Sequence, residues 1–378
     1  MIIKYLKLLK KGKKLKNKNI LIKAYINKNL GDDLFIKILA EKFLKQNFIV
    51  VINKKNFSND YLNFKNLKRI KGFRILDFII RKLKGIYIFS EIIAYKLNKC
   101  DKIIEIGGSI FMEKVGKNYH LIQRKSLKEL YGKYFILGAN FGPYNSNEFL
   151  EEYYNFFSEC SDVCFRDIYS YSLFKNLPNI RYAKDIVFSL NVEEYAEKEY
   201  ILISVIKPSI RKELFDKDNE YYNTIKNVAV DFLENGKKVK LMSFCKNEGD
   251  EEAIEEILKI TPKSFRDKIG KYYYDGNIED ALEIIGKAEA VVATRFHAMI
   301  LGFIYRKKVY PIAYSKKTTN VLEDLEFKGN YCSFDNLNKI SYEKIMENEV
   351  LDENILELAR KDAERHFEKL DLFLKEEK

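Results

Sequence analysis

The 378-residue chain has no tryptophan, three histidines, five prolines and five cysteines. So few prolines, beside 47% hydrophobic residues, exclude a Pro-rich linker array, a collagen-like fibre and a disordered chain. The cysteines (100, 160, 164, 245 and 332) are odd in number and show no metal-ligand pairing, which reads as a reduced, cytoplasmic protein. No apolar stretch reaches the ~18 uncharged residues of a membrane span. Arg295 and His297 interrupt the best candidate, 288–305. Lys4, Lys7, Lys10 and Lys11 break up any signal-peptide apolar region, and no small-residue cleavage site follows. At ~100–200 residues per domain, the length suggests two domains.

Acidic residues are scarce in the first hundred positions, which hold 6 Asp and Glu against 25 Lys and Arg. The other 278 residues carry 49 acidic against 42 basic, so the net charge of +12 hides a local excess. Localised charge implies a local polyanion, either a nucleic acid or an anionic membrane. Residues 1–18 contain eight lysines and no acid, with Ile2, Ile3, Leu6 and Leu9 roughly on one helical face. In 68–99, Phe73, Ile75, Leu76, Ile79, Ile80, Leu83, Ile86, Phe89 and Ile92 alternate with Arg69, Lys71, Arg74, Arg81, Lys82 and Lys84. That apolar face is too continuous for a phosphate stripe, so an anionic membrane surface is expected as partner through 1–18 and 68–99, and no nucleic acid. The alternative is a solvated arm followed by ordinary helices covering a sheet.

From Asn19 onward, short apolar runs alternate with amphipathic stretches. Strands are expected at 19–25, 48–53, 102–108, 133–143, 162–167 and 179–185, then at 200–207, 237–244, 271–276, 288–294 and 308–314. The helices between them include 31–45, with Asp32 or Asp33 near its N-cap, and 219–236, 250–260, 277–288 and 297–305. This alternation predicts an α/β protein of parallel sheets covered by helices. Two runs of it predict two Rossmann-like domains facing a cleft, a GT-B-like architecture. The expected division is 1–195 and 196–345, with 346–378 carrying one acidic helix (about 351–375) that packs back on the first domain.

Ligands of open α/β sheets bind at the carboxyl ends of strands, and this singles out a few positions. Asn29-Leu30-Gly31-Asp32-Asp33 lacks dinucleotide-loop spacing, and its paired acids suit sugar hydroxyls or simply cap a helix. Gly107-Gly108 and Asn140-Phe141-Gly142 admit close approach of a ligand or of a packed helix. Arg295, Phe296 and His297 lie at a strand-to-helix junction, where Arg offers a planar fork to an anion and the helix N-terminus adds to it; His297 could equally be a satisfied core residue. Arg166-Asp167 could be a surface pair, and Lys316-Lys317 a solvated one.

In order, N-x-G-D-D (29–33), IGG (106–108), LGANFGP (137–143), FRD with Ser170, Asp185, RFHA (295–298) and Y-x-x-K (314–317) resemble the polysaccharide pyruvyl transferases. The chain departs from the family pattern at Lys28, Ser109 and Phe296, where glycine, glycine and leucine are usual, and only Lys184-Asp185 remains of an apolar-Pro-Asp element. The resemblance implies transfer of the enolpyruvyl group of phosphoenolpyruvate onto two hydroxyls of a sugar in a surface-polysaccharide precursor, as a pyruvate ketal, with release of phosphate. It implies a phosphoenolpyruvate site of Arg166, Arg295, Phe296, His297 and Lys317, and an acceptor side lined by Asn29, Gly31, Gly107, Gly108, Asn140 and Gly142. His297 would be the general acid, and Asp32 or Asp33 would orient the acceptor or take its proton. No metal and no cofactor are expected, phosphoenolpyruvate being a substrate. The acceptor is expected to be lipid-linked or part of a polysaccharide precursor, with the enzyme peripheral at the inner face of the membrane. The competing readings are a GT-B glycosyltransferase using a nucleotide sugar and a non-enzymatic basic membrane- or nucleic-acid-binding protein on a degenerate fold.

Overall fold

The computed structural model describes residues 19–52, 61–84, 88–98, 100–114, 118–196 and 198–376. The expected basic arm at 1–18 lies outside these. The chain forms two compact units, one of 19–26, 35–186 and 364–376, the other of 27–34 and 187–363. The division thus falls at 186/187, where the sequence suggests 195/196. Residues 27–34 belong with the second unit because they are hydrogen-bonded into it. Leu30 N–H donates to the Phe244 carbonyl at 3.1 Å, and Asn247 Nδ2 donates to the backbone and side-chain oxygens of Asn27 at 3.0 Å.

The first unit is built on seven parallel strands: β1 (Asn19–Ala24), β2 (Asn47–Ile52), β3 (Leu67–Lys71), β4 (Cys100–Ile106), β5 (Lys133–Ala139), β6 (Asp162–Phe165) and β7 (Ile180–Tyr182). Their order is β3-β2-β1-β4-β5-β6-β7. Central strands covered on both faces need unbroken apolar runs, and Ile103, Ile104, Tyr134, Phe135, Ile136 and Leu137 supply them, all buried. The edge strand β3 was not expected. Its sequence, LKRIK, reads as part of a basic insertion, and cations are how an exposed sheet edge avoids mispairing. The expected single C-terminal helix is two, Glu353–Glu364 and Glu368–Glu376, separated by a tight turn at Arg365–Phe367. The turn buries His366 and Phe367, with His366 Nε2 2.9 Å from the Lys184 carbonyl. Only 364 onward joins the first unit, where Phe373 packs on Phe135.

The second unit holds six parallel strands: β8 (Tyr200–Ser204), β9 (Val239–Ser243), β10 (Ile269–Tyr273), β11 (Ala288–Ala293), β12 (Lys308–Ala313) and the short, unexpected β13 (Cys332–Ser333). The order is β10-β9-β8-β11-β12-β13, with Ala293 in register with Ser204. In each sheet the winding direction reverses once, between β1 and β4 and between β8 and β11. Crevices for ligands open at the carboxyl ends of such strand pairs. Gly107-Gly108 follow β4 and Arg295 follows β11, so the motifs sit where the topology makes room.

Candidate active site

In the second unit, the segment after β1 and the segment after β11 meet. Asn29, not Asp32 or Asp33, is the N-cap of the helix Leu30–Lys42: its side-chain oxygen accepts from Gly31 N–H at 3.1 Å and its carbonyl from Asp33 N–H at 2.9 Å. Lys28, one of the departures named above, has a left-handed φ of 50°. Gly31 lies directly against the His297 imidazole. A β-carbon added at 31 would sit 1.8 Å from His297 Nδ1, so glycine there is a condition of this approach. The two acids separate in role. Asp33 is fully buried and accepts from the Tyr274 hydroxyl at 2.7 Å, whereas Asp32 is half-buried in the same helical turn.

Arg295 is positioned by a clamp that the sequence reading missed. Its Nε donates to Asp250 Oδ2 at 2.9 Å, its Nη2 to Asp250 Oδ1, and its Nη1 to Glu248 Oε2 at 2.6 Å. Its backbone N–H and that of Thr294 both reach the Ser204 hydroxyl, tying the end of β11 to the end of β8. Asp250 has no exposed surface and also accepts from the backbone N–H groups of Phe244 and Cys245, at 2.9 Å each. Burial pushes the Asp250 carboxyl upward, with Arg295 and the backbone donors pulling the other way. Burial works against the charge on Arg295 too, but Asp250 and Glu248 outweigh it and hold the guanidinium protonated. Glu248 is lowered: burial raises it, but Arg295 and Arg211 more than compensate.

Glu248 links the parts. Its Oε2 also accepts from Arg211 Nη2 at 3.3 Å, and its Oε1 from Asn29 Nδ2 at 3.2 Å. Arg211 in turn lies over the Tyr314 ring, 4.6 Å from its centre. Lys317 is half-buried in the first turn of the helix Lys316–Asp324, just after β12. Phe296 sets its ring edge-on to His297 at 5.2 Å.

In the first unit the remaining motifs converge on Arg166. The surface pair with Asp167, the alternative for this motif, is not formed. Arg166 is buried and donates to Asp185 Oδ2 at 2.8 Å and to Asn140 Oδ1 at 2.9 Å, while Asp167 caps the helix Ile168–Phe174 through Ser170 N–H. Ser170 then accepts from Phe141 N–H at 2.7 Å, joining FRD to the glycine motif before it. Gly108 faces the Arg166 guanidinium, and a β-carbon there would stand 2.6 Å from it. Gly107 and Gly142 bound the same loops, Gly107 donating to the Leu137 carbonyl and Gly142 to the Phe111 carbonyl. Thus Arg295 and His297 lie together with Asn29 and Gly31 in one unit, with Lys317 in the same unit, and Arg166 lies with Asn140, Gly108 and Asp185 in the other.

A buried ionic centre in the first unit was also unforeseen. Glu105, near the end of β4, accepts from Arg124 Nε at 2.9 Å and Nη2 at 2.8 Å, from Lys23 Nζ at 2.6 Å and from the Tyr134 hydroxyl at 2.6 Å. Burial alone would raise the Glu105 carboxyl, but Arg124 and Lys23 bring it down to about 2. Each residue alone, in a strand or a helix, carries no signal of the pairing.

Among solved structures, the chain is similar to a Methanocaldococcus jannaschii UDP-GlcNAc 2-epimerase in complex with UDP-GlcNAc and UDP, with a TM-score of 0.55 and 12% identity over 94% of this chain and 99% of that one. It is similar to Anabaena HepE in complex with UDP and glucose, at 0.52 and 10% over 95% and 98%. A trehalose-6-phosphate synthase matches at 0.52 and 8% over 95% and 99%. At such identities the likeness concerns fold alone, an α/β fold of the GT-B kind. No curated protein matches the sequence. The profile of one family, polysaccharide pyruvyl transferase, matches residues 29–316, which spans both the Asn29–Asp33 segment and the Arg295–His297 junction and ends one residue before Lys317. With more than half of its length matched, and with those two motifs packed on each other, the chain belongs to the polysaccharide pyruvyl transferase family and is a transferase.

Proposed function

We propose that the protein transfers the enolpyruvyl group of phosphoenolpyruvate to two hydroxyls of a sugar in a surface-polysaccharide precursor, forming a pyruvate ketal and releasing phosphate. The observation that carries this reading is the packing of Gly31 against His297 beside the clamped Arg295. Phosphoenolpyruvate brings a carboxylate and a phosphate. Arg295 and Lys317, each near a helix N-terminus, supply charge to hold them and to stabilise phosphate as it leaves. Three Arg295 N–H groups are engaged by the two acids, which leaves two for a ligand. Glu248, with a quarter of its side chain exposed, is the partner a donor anion would displace, while the buried Asp250 keeps the guanidinium plane oriented.

His297 gives a proton to the methylene carbon, which becomes a methyl group and leaves C2 electrophilic. A sugar hydroxyl adds to C2 and loses its proton. The C2–O bond to phosphate then breaks, and a second hydroxyl closes the ketal, its proton passing to the departing phosphate. General acid catalysis of the first step contributes ~10²–10⁴-fold. Asp32 is assigned to the acceptor hydroxyls, since Asp33 is already committed to Tyr274. The acceptor is read as lipid-linked, which would keep the enzyme at the inner face of the membrane.

The test is product analysis with phosphoenolpyruvate and candidate sugar acceptors. Phosphate released in step with pyruvylated sugar is expected. Release of a nucleoside diphosphate from a nucleotide sugar, with phosphoenolpyruvate untouched, would replace this reading with the glycosyltransferase one.

A further inference from the structure

Exposed large apolar side chains are scattered singly over most of the described surface, except on the helix Arg74–Lys84. There Ile75 is 72% exposed, and Leu76, Phe78 and Ile79 are each 42–47% exposed. At 100° per residue these four cover one arc, with the exposed Lys82 inside it and its amine 4.9 Å from the Phe78 ring centre. The opposite side is anchored. Asp77 accepts from the Ser90 N–H at 3.0 Å and from the Ser90 hydroxyl at 2.6 Å, and Ile80 packs against the core of the first unit. The one acid of the helix is therefore turned inward, and the outward face combines apolar side chains with positive charge only. The next helix, Phe89–Asn98, differs: Ile92 is 4% exposed and belongs to the core, so the apolar stripe expected along 68–99 divides into one outward helix and one packed helix.

We infer that the helix Arg74–Lys84 is a membrane-docking element that lays Ile75, Leu76, Phe78 and Ile79 into the headgroup boundary of an anionic bilayer. Charge selects this occupant. Residues 1–18, with eight lysines and no acid, would be repelled by the same basic face, and so would a second copy of it. Anionic lipid headgroups meet with opposite charge a helix that carries four basic residues and one acid, with Lys82 inside its exposed arc, and the acyl boundary receives the apolar side chains around it. The inference concerns a surface on the first unit and does not depend on the reaction catalysed.

The test is sedimentation of the full chain with phosphatidylcholine–phosphatidylglycerol vesicles and with phosphatidylcholine alone, over a salt series. The double variant Ile75→Ser/Ile79→Ser is compared with wild type; both positions are exposed, and circular dichroism and melting temperature confirm that it folds. Expected are preference for the anionic vesicles, loss of binding as salt rises, and at least ~tenfold weaker partitioning of the double variant, whose positive charges all remain. Equal partitioning of variant and wild type would overturn the inference, assigning any binding to other basic segments. So would equal binding to neutral vesicles, no binding at all, or a wild-type dimer that the double variant dissolves.

Discussion

Replacing Gly31 by alanine separates folding from catalysis. The added methyl would begin 1.8 Å from His297 Nδ1, whereas carbon contacts settle at about 3.5–4.0 Å. The imidazole must therefore retreat by on the order of 1.5–2 Å. His297 is half-buried, so its ring, and not the backbone, is expected to give way to the added methyl. Alanine is also the better helix former, by up to ~1 kcal/mol, which offsets part of any overpacking cost. Misplacing a catalytic group by ~1 Å costs about a hundredfold, or ~2.7 kcal/mol of barrier, so kcat should fall at least that far. The assay is steady-state phosphate release from phosphoenolpyruvate with acceptor present, alongside a thermal melt of the same preparation. A melting temperature near that of wild type, an unchanged KM for phosphoenolpyruvate and a kcat down ~10²-fold are expected. A folded variant with kcat within about threefold of wild type would refute the argument that the position of this ring matters.

Two further substitutions test the buried charges. Asp250→Ala removes the fully buried partner of Arg295 and should cost about 3–5 kcal/mol in urea unfolding, because it leaves a guanidinium half-compensated; an effect below ~1 kcal/mol would show the clamp is not formed. Glu105 titrates at about 2 in the folded protein against 4.5 for an ordinary glutamate, so its contribution is complete above pH ~4.5 and is lost as pH falls toward 2. The stability gap between wild type and Glu105→Gln should therefore narrow steadily in urea midpoints taken from pH 5 down to pH 3, and a gap independent of pH would contradict the pairing with Arg124 and Lys23.

The alternation of strands and helices was readable in the sequence because parallel strands covered on both faces must be apolar throughout, as in KYFILGA of β5. The strand β3 was not, because an edge strand written LKRIK has no apolar run to recognise. Asn29, Gly31, Arg295 and His297 stood out by motif and chain position, but the contact of Gly31 with His297, and the link from Asn29 through Glu248 to Arg295, are tertiary facts that join residues more than 200 positions apart. Asp250 was hidden for a different reason. It opens the run Asp250-Glu251-Glu252 at the start of a helix, where acids are expected simply to complement the helix dipole, so nothing local marks it as the anchor of Arg295. Arg166 was legible as a charged residue at a strand end, yet its partner proved to be Asp185, nineteen residues on, and not the adjacent Asp167.

In the proposed reaction His297 protonates the methylene carbon of phosphoenolpyruvate so that a sugar can take the pyruvyl group. It is tested most directly by running the reaction in deuterium oxide with wild type and His297→Ala and analysing the product by mass spectrometry and NMR. Expected are a pyruvate ketal whose methyl group carries one solvent-derived deuterium, formed in step with phosphate, and a turnover lowered by ~10²–10⁴-fold in the variant with little change in KM for phosphoenolpyruvate. A ketal without deuterium, or a His297→Ala enzyme with raised KM and unchanged kcat, would contradict it.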